Sequence, residues 1–316
     1  MSLVIQEEIT NIVASPELKD FMRRAYDYSQ KSKSANTNRA YRSHWKYFEA
    51  WCDSHGLRPL PTSSEAIALY LGSLGGKASN SKIDGVIAAI ESKHREMHAS
   101  ISGNQDLYKS VRKGIRNEHP EKQTKKKAKP ITTLDLKVAC CKLDGTIQSC
   151  RDRAIITLLY FGALRRSELV ALDVEHIDFQ EKGIVISIMQ SKTSDTCETI
   201  YLAYAKDTDI CPVTNLRKWL TAASIDKGAI FRSFQKGGKI AERLSGHAIN
   251  DIVKERLGEK YSGHSGRRGI LTEAAAKGTS IHIMQKHSRH KDIRNLGGYI
   301  DAASGFENSS VAVLGV

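Results

Sequence analysis

Nowhere do eighteen apolar residues run together, and the opening MSLVIQEEIT has no basic stretch leading into a long apolar core. The sequence therefore lacks the marks of a membrane-spanning helix and of a secretory leader, and a cytoplasmic protein with no membrane partner is expected. Cys52, Cys140, Cys141, Cys150, Cys197 and Cys211 form no C-x-x-C pair. That argues against a zinc ribbon or a thioredoxin-like centre and for reduced cytosolic thiols. Cys140-Cys141 has no supporting base that would make it a reactive pair. There is no H-E-x-x-H helix and no carboxylate cluster of metal-binding type. His282, His287 and His290 lack the matched spacing and the further ligand that a zinc site needs. No metal and no cofactor are expected. No repeat period marks a solenoid.

Acid is also in short supply. Lys and Arg number 48 against 35 Asp and Glu, giving a net charge of +13 and a pI near 9.4. Such an excess is the footprint of a polyanion partner, and it is concentrated. Between Lys109 and Pro130 nine basic residues face two acids, whereas the last sixteen residues hold two acids and no base. With 316 residues, two domains are expected. Hydrophobic content of 40 % and charged content of 26 % are ordinary for a globular chain.

The organisation reads as mainly α in two domains, a helical one over 14–120 and a second over 131–316, joined by a basic linker at 121–130. Ala40, Tyr41, Trp45, Phe48, Trp51 and Cys52 recur at helical spacing. Thr62 stands three before Glu65, a capping-box spacing, in a helix that stops at Gly75-Gly76. Ile83, Val86, Ile87, Ile90 and Met97 mark another amphipathic helix. Its start offers Lys77, Ser79 and Lys82, which suit a DNA phosphate as well as a solvated cap. Lys122, Lys125, Lys126 and Lys127 of the linker are further DNA-binding candidates. Beyond it, two helices meet near Gly162, and GIVISIM and ETIYLAY read as a hairpin around Lys192. Helices are expected again over Asn215–Ala223, Ser245–Leu257 and His264–Lys277.

Four spots could carry chemistry. Arg165 precedes Glu168 by three residues in GALRRSEL, and His264 precedes Arg267 by three in GHSGRRG, so each pair shares a helix face. Lys192 sits in QSKTSD. His290 and Tyr299 stand nine residues apart in SRHKDIRNLGGYI, opposite faces of an unbroken helix, so a shared site needs a turn between them. Gly297-Gly298 is suited to that turn. Taken singly, these are an ordinary surface ion pair, a solvated helix start and a soluble hairpin tip.

Taken together, Arg165, Lys192, His264-x-x-Arg267, His290 and Tyr299 resemble the tyrosine recombinase family, also called phage integrases. The likeness spans Ala154 to Gly305. The box HSGRR is similar to the Cre-type H-S-x-R pattern, while His290 stands where Cre carries a tryptophan. The resemblance implies a core-binding domain followed by a mostly α catalytic domain with a small antiparallel sheet, embracing duplex DNA. It implies site-specific recombination through a covalent 3′-phosphotyrosyl intermediate, without metal or ATP. It also implies inverted-repeat half-sites, a protein that is monomeric when free and a head-to-tail homotetramer on two sites, with the tail docked into a neighbour. The expected setting is the cytoplasm, on the nucleoid when bound.

The residue types suit that chemistry directly. Arg165 and Arg267 offer forked donors to non-bridging phosphate oxygens, and His290 adds another. A cationic pocket favours the phenolate of Tyr299. Lys192 can protonate the leaving 5′-oxygen, and His264 can take or relay the tyrosine proton. Glu168 supports Arg165. The rival readings are type IB topoisomerase-like strand relaxation, a non-catalytic sequence-specific DNA-binding protein, and a basic protein binding RNA or another polyanion.

Overall fold

The computed structural model describes residues 16–120, 128–189, 198–290, 292–294 and 296–299. The chain divides into two compact units, Met1–Lys126 and Lys127–Val316. Among the described residues no helix is long and apolar enough to cross a membrane.

The first unit is helical: α1 (Pro16–Lys31), α2 (Ala35–Ser54), α3 (Ser64–Leu74), α4 (Asn80–Glu96) and α5 (Asp106–Glu118). Serines start three of them. The hydroxyls of Ser34, Ser63 and Ser79 accept from the amides of Thr37, Ala66 and Lys82, satisfying donors a helix start would otherwise leave bare. The cap of α3 is thus Ser63, one residue later than expected. Thr62 is committed elsewhere: its amide donates to the buried His94 Nε2 at 3.0 Å, and its carbonyl accepts from the Ser102 amide at 3.1 Å. The apolar faces close on Phe48, Ile67, Leu71, Ile83, Ile90 and Tyr108. Met97, expected on the apolar face of α4, lies just past its end and is exposed.

In the second unit the elements run α6 (Thr133–Cys141), α7 (Ile147–Phe161), α8 (Arg166–Ala171), β1 (Ile177–Gln180), β2 (Gly183–Ile188) and β3 (Glu198–Ala203). Next come α9 (Pro212–Ala222), β4 (Arg232–Phe234), β5 (Ile240–Arg243), α10 (Gly246–Leu257), α11 (Ser265–Ala276) and α12 (Ile281–Ser288). Helix α7 is buried from Ala154 to Tyr160 on every face, which makes it the axis of the unit. Its Asp152, fully buried, accepts from Arg151 and from Arg256 of α10 at 2.7–2.9 Å, tying the two helices together. A carboxylate buried this deeply is tolerable because both oxygens are paired.

The sheet is an antiparallel meander, β1-β2-β3, with Ile177 opposite Ile186 and Ile188 opposite Glu198. The β2-β3 hairpin is the one read from the sequence. The short β1 and the β4-β5 pair were not, since three or four residues carry little periodicity.

Two glycines set how closely the elements pack. A Cβ on Gly266 would lie 2.7 Å from the Leu159 carbonyl oxygen of α7, and one on Gly269 would lie 1.8 Å from that of Ile131. Helix α11 therefore rests on main chain rather than on side chains. That is the structural reason for a glycine in the middle of HSGRR.

Candidate active site

The loop after α7 is the floor of the site. Gly162 caps the helix, and Ala163 takes a positive φ of 46°, which turns its carbonyl back under the neighbouring elements. Arg165 is the N-cap of α8 rather than a member of the helix. Its amide donates to Glu168 Oε2 at 2.8 Å, and its guanidinium pairs with Glu168 Oε1. The spacing read as one helix face is thus a capping pair, and it leaves the Arg165 side chain 39 % exposed.

Helix α11 brings in the second guanidinium. His264 is its N-cap and Arg267 lies in its first turn. Arg267 is buried, and its Nη1 donates to the Ala163 carbonyl at 2.9 Å. Its Nη2 is buried too, and has no hydrogen-bond partner among the described residues. An unpaired charged donor is expensive unless an anion comes to it. Burial, then the charges of Arg165 and Arg289, lower the Arg267 pKa to about 10.

Helix α12 ends at Ser288, and Arg289 turns the chain in left-handed conformation at φ 57°. The turn needed between His290 and Tyr299 lies further on, where the described residues 290 and 292–293 are non-helical. Gly297 and Gly298, expected to make it, lie instead in the helical residues 296–299. The reversal brings the His290 and Tyr299 rings to 6.1 Å between centroids. Leu296 is buried with Leu271 and Met284, and Tyr299 packs against that cluster.

Ser288 Oγ donates its single proton to the Met284 carbonyl at 2.6 Å, so the 2.7 Å contact with His290 Nδ1 places the imidazole proton on Nδ1. Neutral His290 therefore presents a bare Nε2, and that nitrogen becomes a donor only as imidazolium. Burial and the charges of Arg267, Arg165 and Arg289 push its pKa down to about 4. Burial, followed by Arg166, Arg267 and Arg165, also lowers that of His264. The pKa of Glu168 is lowered too, which for a carboxyl group favours the charged form. Burial opposes its charge, but Arg289, the Arg165 amide and the Arg165 guanidinium outweigh it and keep the carboxylate ionised.

Arg165, Glu168, His264, Arg267, His290 and Tyr299 thus come together from α7–α8, α11 and the segment after α12. Arg289 is the neighbour that sequence reasoning missed. Lys192 lies outside the described residues. Glu198, which ends that connection on β3, has its carboxylate 3.6 Å from Arg289 Nε. His282 is exposed, and His287 Nε2 bonds the Phe161 carbonyl at 2.8 Å, so the three histidines do not converge. Among the described residues no group of three or more His, Cys, Asp or Glu could hold a metal ion.

Residues 134–305 match the phage integrase family. Over 295 residues, 89 % of this chain and 86 % of the relative, the sequence is 32 % identical to an integrase/recombinase xerD homolog of Selenomonas ruminantium. The chain belongs to the phage integrase family. It is a tyrosine recombinase, 26 % identical over 298 residues to the tyrosine recombinase XerC of Myxococcus xanthus, covering 90 % of this chain and 92 % of that one. Its fold is that of the Tn1549 transposon integrase solved in complex with transposon right end DNA, at a TM-score of 0.59 and 16 % identity, over 90 % and 95 % of the two chains. It is also that of a lambda integrase dimer bound to a COC′ core site, at 0.56 and 16 %, over 92 % and 96 %. Both curated relatives carry Xer names, whereas the HSGRR box had pointed toward Cre.

Of the remaining recombinase candidates, Lys77, Ser79 and Lys82 are all exposed at the start of α4. Lys122, Lys125, Lys126 and Lys127 lie outside the described residues. The first unit also carries a feature the sequence reading passed over. A cavity of about 690 Å³ is lined by Lys33, Tyr41, Arg42, Trp45, Lys93 and Arg95 among others. The signal was available in the basic residues interleaved with Tyr41 and Trp45, the pattern of a nucleic-acid surface.

Proposed function

We propose that this chain carries out site-specific DNA strand exchange, with Tyr299 as the nucleophile and Arg165, Arg267 and His290 as the cradle for the scissile phosphodiester. The observation that carries this reading is the buried Nη2 of Arg267, without a partner among the described residues, near enough to Arg165 and Tyr299 to feel their charges. It is a preformed place for an oxyanion within reach of a nucleophile.

The Tyr299 oxygen forms a bond to phosphorus as the bond from phosphorus to the 5′-oxygen breaks. The tyrosyl proton passes to an imidazole, and the 5′-oxygen takes a proton from Lys192, leaving a 3′-phosphotyrosyl ester and a free 5′-hydroxyl. His264, whose neutral form is favoured, is available as the acceptor, while His290 joins the cradle as imidazolium, the form that a bound phosphate anion favours. The ester conserves the energy of the broken bond, so a 5′-hydroxyl can rejoin it by the reverse path without ATP. Oxygens gathering charge in the transition state meet donors already in position. The named relatives are recombinases and integrases, which favours strand exchange over topoisomerase-like relaxation.

Lys77, Ser79, Lys82 and the linker lysines Lys122, Lys125, Lys126 and Lys127 would contact phosphates on double-stranded DNA. The assembly read from the resemblance is a homotetramer on two sites of inverted-repeat half-sites, formed from free monomers. The reading is tested by incubating the protein with fragments of its own replicon and mapping covalently attached DNA 3′ ends. Tyr299→Phe removes only the hydroxyl, so DNA binding should persist while the adduct disappears. Adduct at wild-type yield in the variant would exclude Tyr299.

A further inference from the structure

Position 289 combines two unfavourable features. Left-handed backbone under a side chain is strained, which is why glycine is preferred there. A buried guanidinium is costly unless fully paired. Yet the residue is an arginine at φ 57° whose side chain is 3 % exposed. Its bonds show what the strain secures. Nη1 donates to the carbonyls of His287 at 2.8 Å and Gly162 at 3.4 Å. Nη2 donates to the Ala163 carbonyl at 3.2 Å and to Glu168 Oε2 at 2.9 Å. The carbonyl of Arg289 itself accepts from Arg165 Nη2 at 3.3 Å.

Two of those partners are shared. The Ala163 carbonyl also holds Arg267, and Glu168 also holds Arg165. Arg289 is therefore bonded to the anchor of each of the other guanidiniums, and the next residue along is His290. All four of its Nη protons are directed at protein oxygens. Its Nε, without a hydrogen bond among the described residues, faces the Glu198 carboxylate at 3.6 Å. The nitrogen left bare on Arg267 is instead an Nη with no acid beside it in an ion pair among the described residues. Arg289 is thus placed to arrange the cradle and not to bind the phosphate.

We propose that Arg289 is a positioning residue for strand cleavage, holding Arg165 and Arg267 at the spacing that receives the scissile phosphate through its bonds to Glu168 and the Ala163 carbonyl. The inference rests on the phosphate-cradle reading given above. Its test uses the full-length chain and a nicked duplex carrying the cleavage site located by covalent 3′ ends. Wild type, Arg289→Gly, Arg289→Lys and Tyr299→Phe are compared by thermal melting, half-site affinity and single-turnover cleavage.

Glycine relieves the backbone and removes the fork. Displacing reacting groups by about 1 Å slows chemistry about 100-fold, and a loss of that order is expected in the cleavage rate. Affinity should stay near wild type, because contacts to phosphates elsewhere on the site dominate it. Lysine keeps the charge but cannot bond Glu168, Ala163 and His287 together, so Arg289→Lys should also be slow. Methylguanidinium should speed Arg289→Gly, which leaves room for it, and not Arg289→Lys. Wild-type cleavage by either variant overturns the proposal. So does a parallel loss of cleavage and affinity in Arg289→Gly that methylguanidinium does not reverse. If Arg289→Gly fails to fold, the lysine variant decides by its ratio of cleavage rate to affinity. A wild-type chain that yields no Tyr299-dependent adduct would overturn the cradle reading, and this one with it.

Discussion

His264, His287 and His290 are each held below the ordinary histidine pKa of 6.5, first by burial and then by the guanidiniums around them. Cations packed this closely favour the uncharged ring. In the unfolded chain the same residues take up protons near pH 6.5, while folded His290 does so only at about 4. Between those values the unfolded state binds more protons, so stability must fall as pH falls through that window. Melting between pH 7.5 and 4.5 should show the decline, at roughly 2–4 °C for each kcal/mol lost. Sulfate should restore part of it, because an anion beside Arg165 and Arg267 offsets the guanidinium charges, the second cause of the depressed pKa after burial. A melting temperature that does not move, with or without sulfate, would mean that the cradle does not act on its histidines.

Helix α11 delivers His264 and Arg267 to the site, and its placement depends on glycines that touch main chain. In Gly266→Ala the added methyl meets the Leu159 carbonyl, and in Gly269→Ala it meets that of Ile131. Neither neighbour is a flexible side chain that can move aside. Each substitution should cost about 1–3 kcal/mol, as overpacking does, and should slow cleavage by shifting Arg267 from the Ala163 carbonyl. Gly297→Ala is the contrasting case. Nothing among the described residues lies within 4 Å of a Cβ there and the residue is helical, so stability should be unchanged or raised by up to about 1 kcal/mol. Chemical denaturation of the three variants separates the two kinds of glycine. Equal stabilities would refute the close approach of α11 to α7.

At the scale of the whole molecule the contrast is between a basic middle and an end that holds two acids and no base. The tail IDAASGFENSSVAVLGV, which lies outside the described residues, holds Phe306, Val311, Val313, Leu314 and Val316 and no basic residue to hold DNA. An isolated helix that short is marginal in water, so the segment needs a surface to bury against. If that surface belongs to a neighbouring protomer, each tyrosine is coupled to the next subunit in a closed head-to-tail ring. Deleting residues 305–316 should then leave a folded monomer that occupies one half-site, while cooperative filling of a two-arm site and recombination are both lost. Gel-shift titration on one-arm and two-arm DNA decides it. Cooperative filling by the truncated chain would show that the tail is not the connector.

Helical periodicity in the first 120 residues, the β2-β3 hairpin, the break at Gly162 and the order Arg165, Lys192, His264, Arg267, His290, Tyr299 could all be read from the chain alone. Each depends on local spacing, and local spacing is what a linear sequence records. Other features were decided by packing between residues dozens to more than a hundred positions apart. Arg289 reads as a surface arginine in SRH until α12 is laid against the loop at Gly162 and Ala163, where the guanidinium finds Glu168 121 residues away. The left-handed turn just ahead of His290 falls on that arginine, because buried carbonyls and a carboxylate compensate it there, while the glycine pair is helical. Ser63 rather than Thr62 caps α3 because His94 and Ser102 claim the main chain of Thr62. The types and order of the reactive groups belong to the sequence. Their spacing, their protonation and the bare nitrogen on Arg267 arise only when distant backbone comes close enough to exclude water.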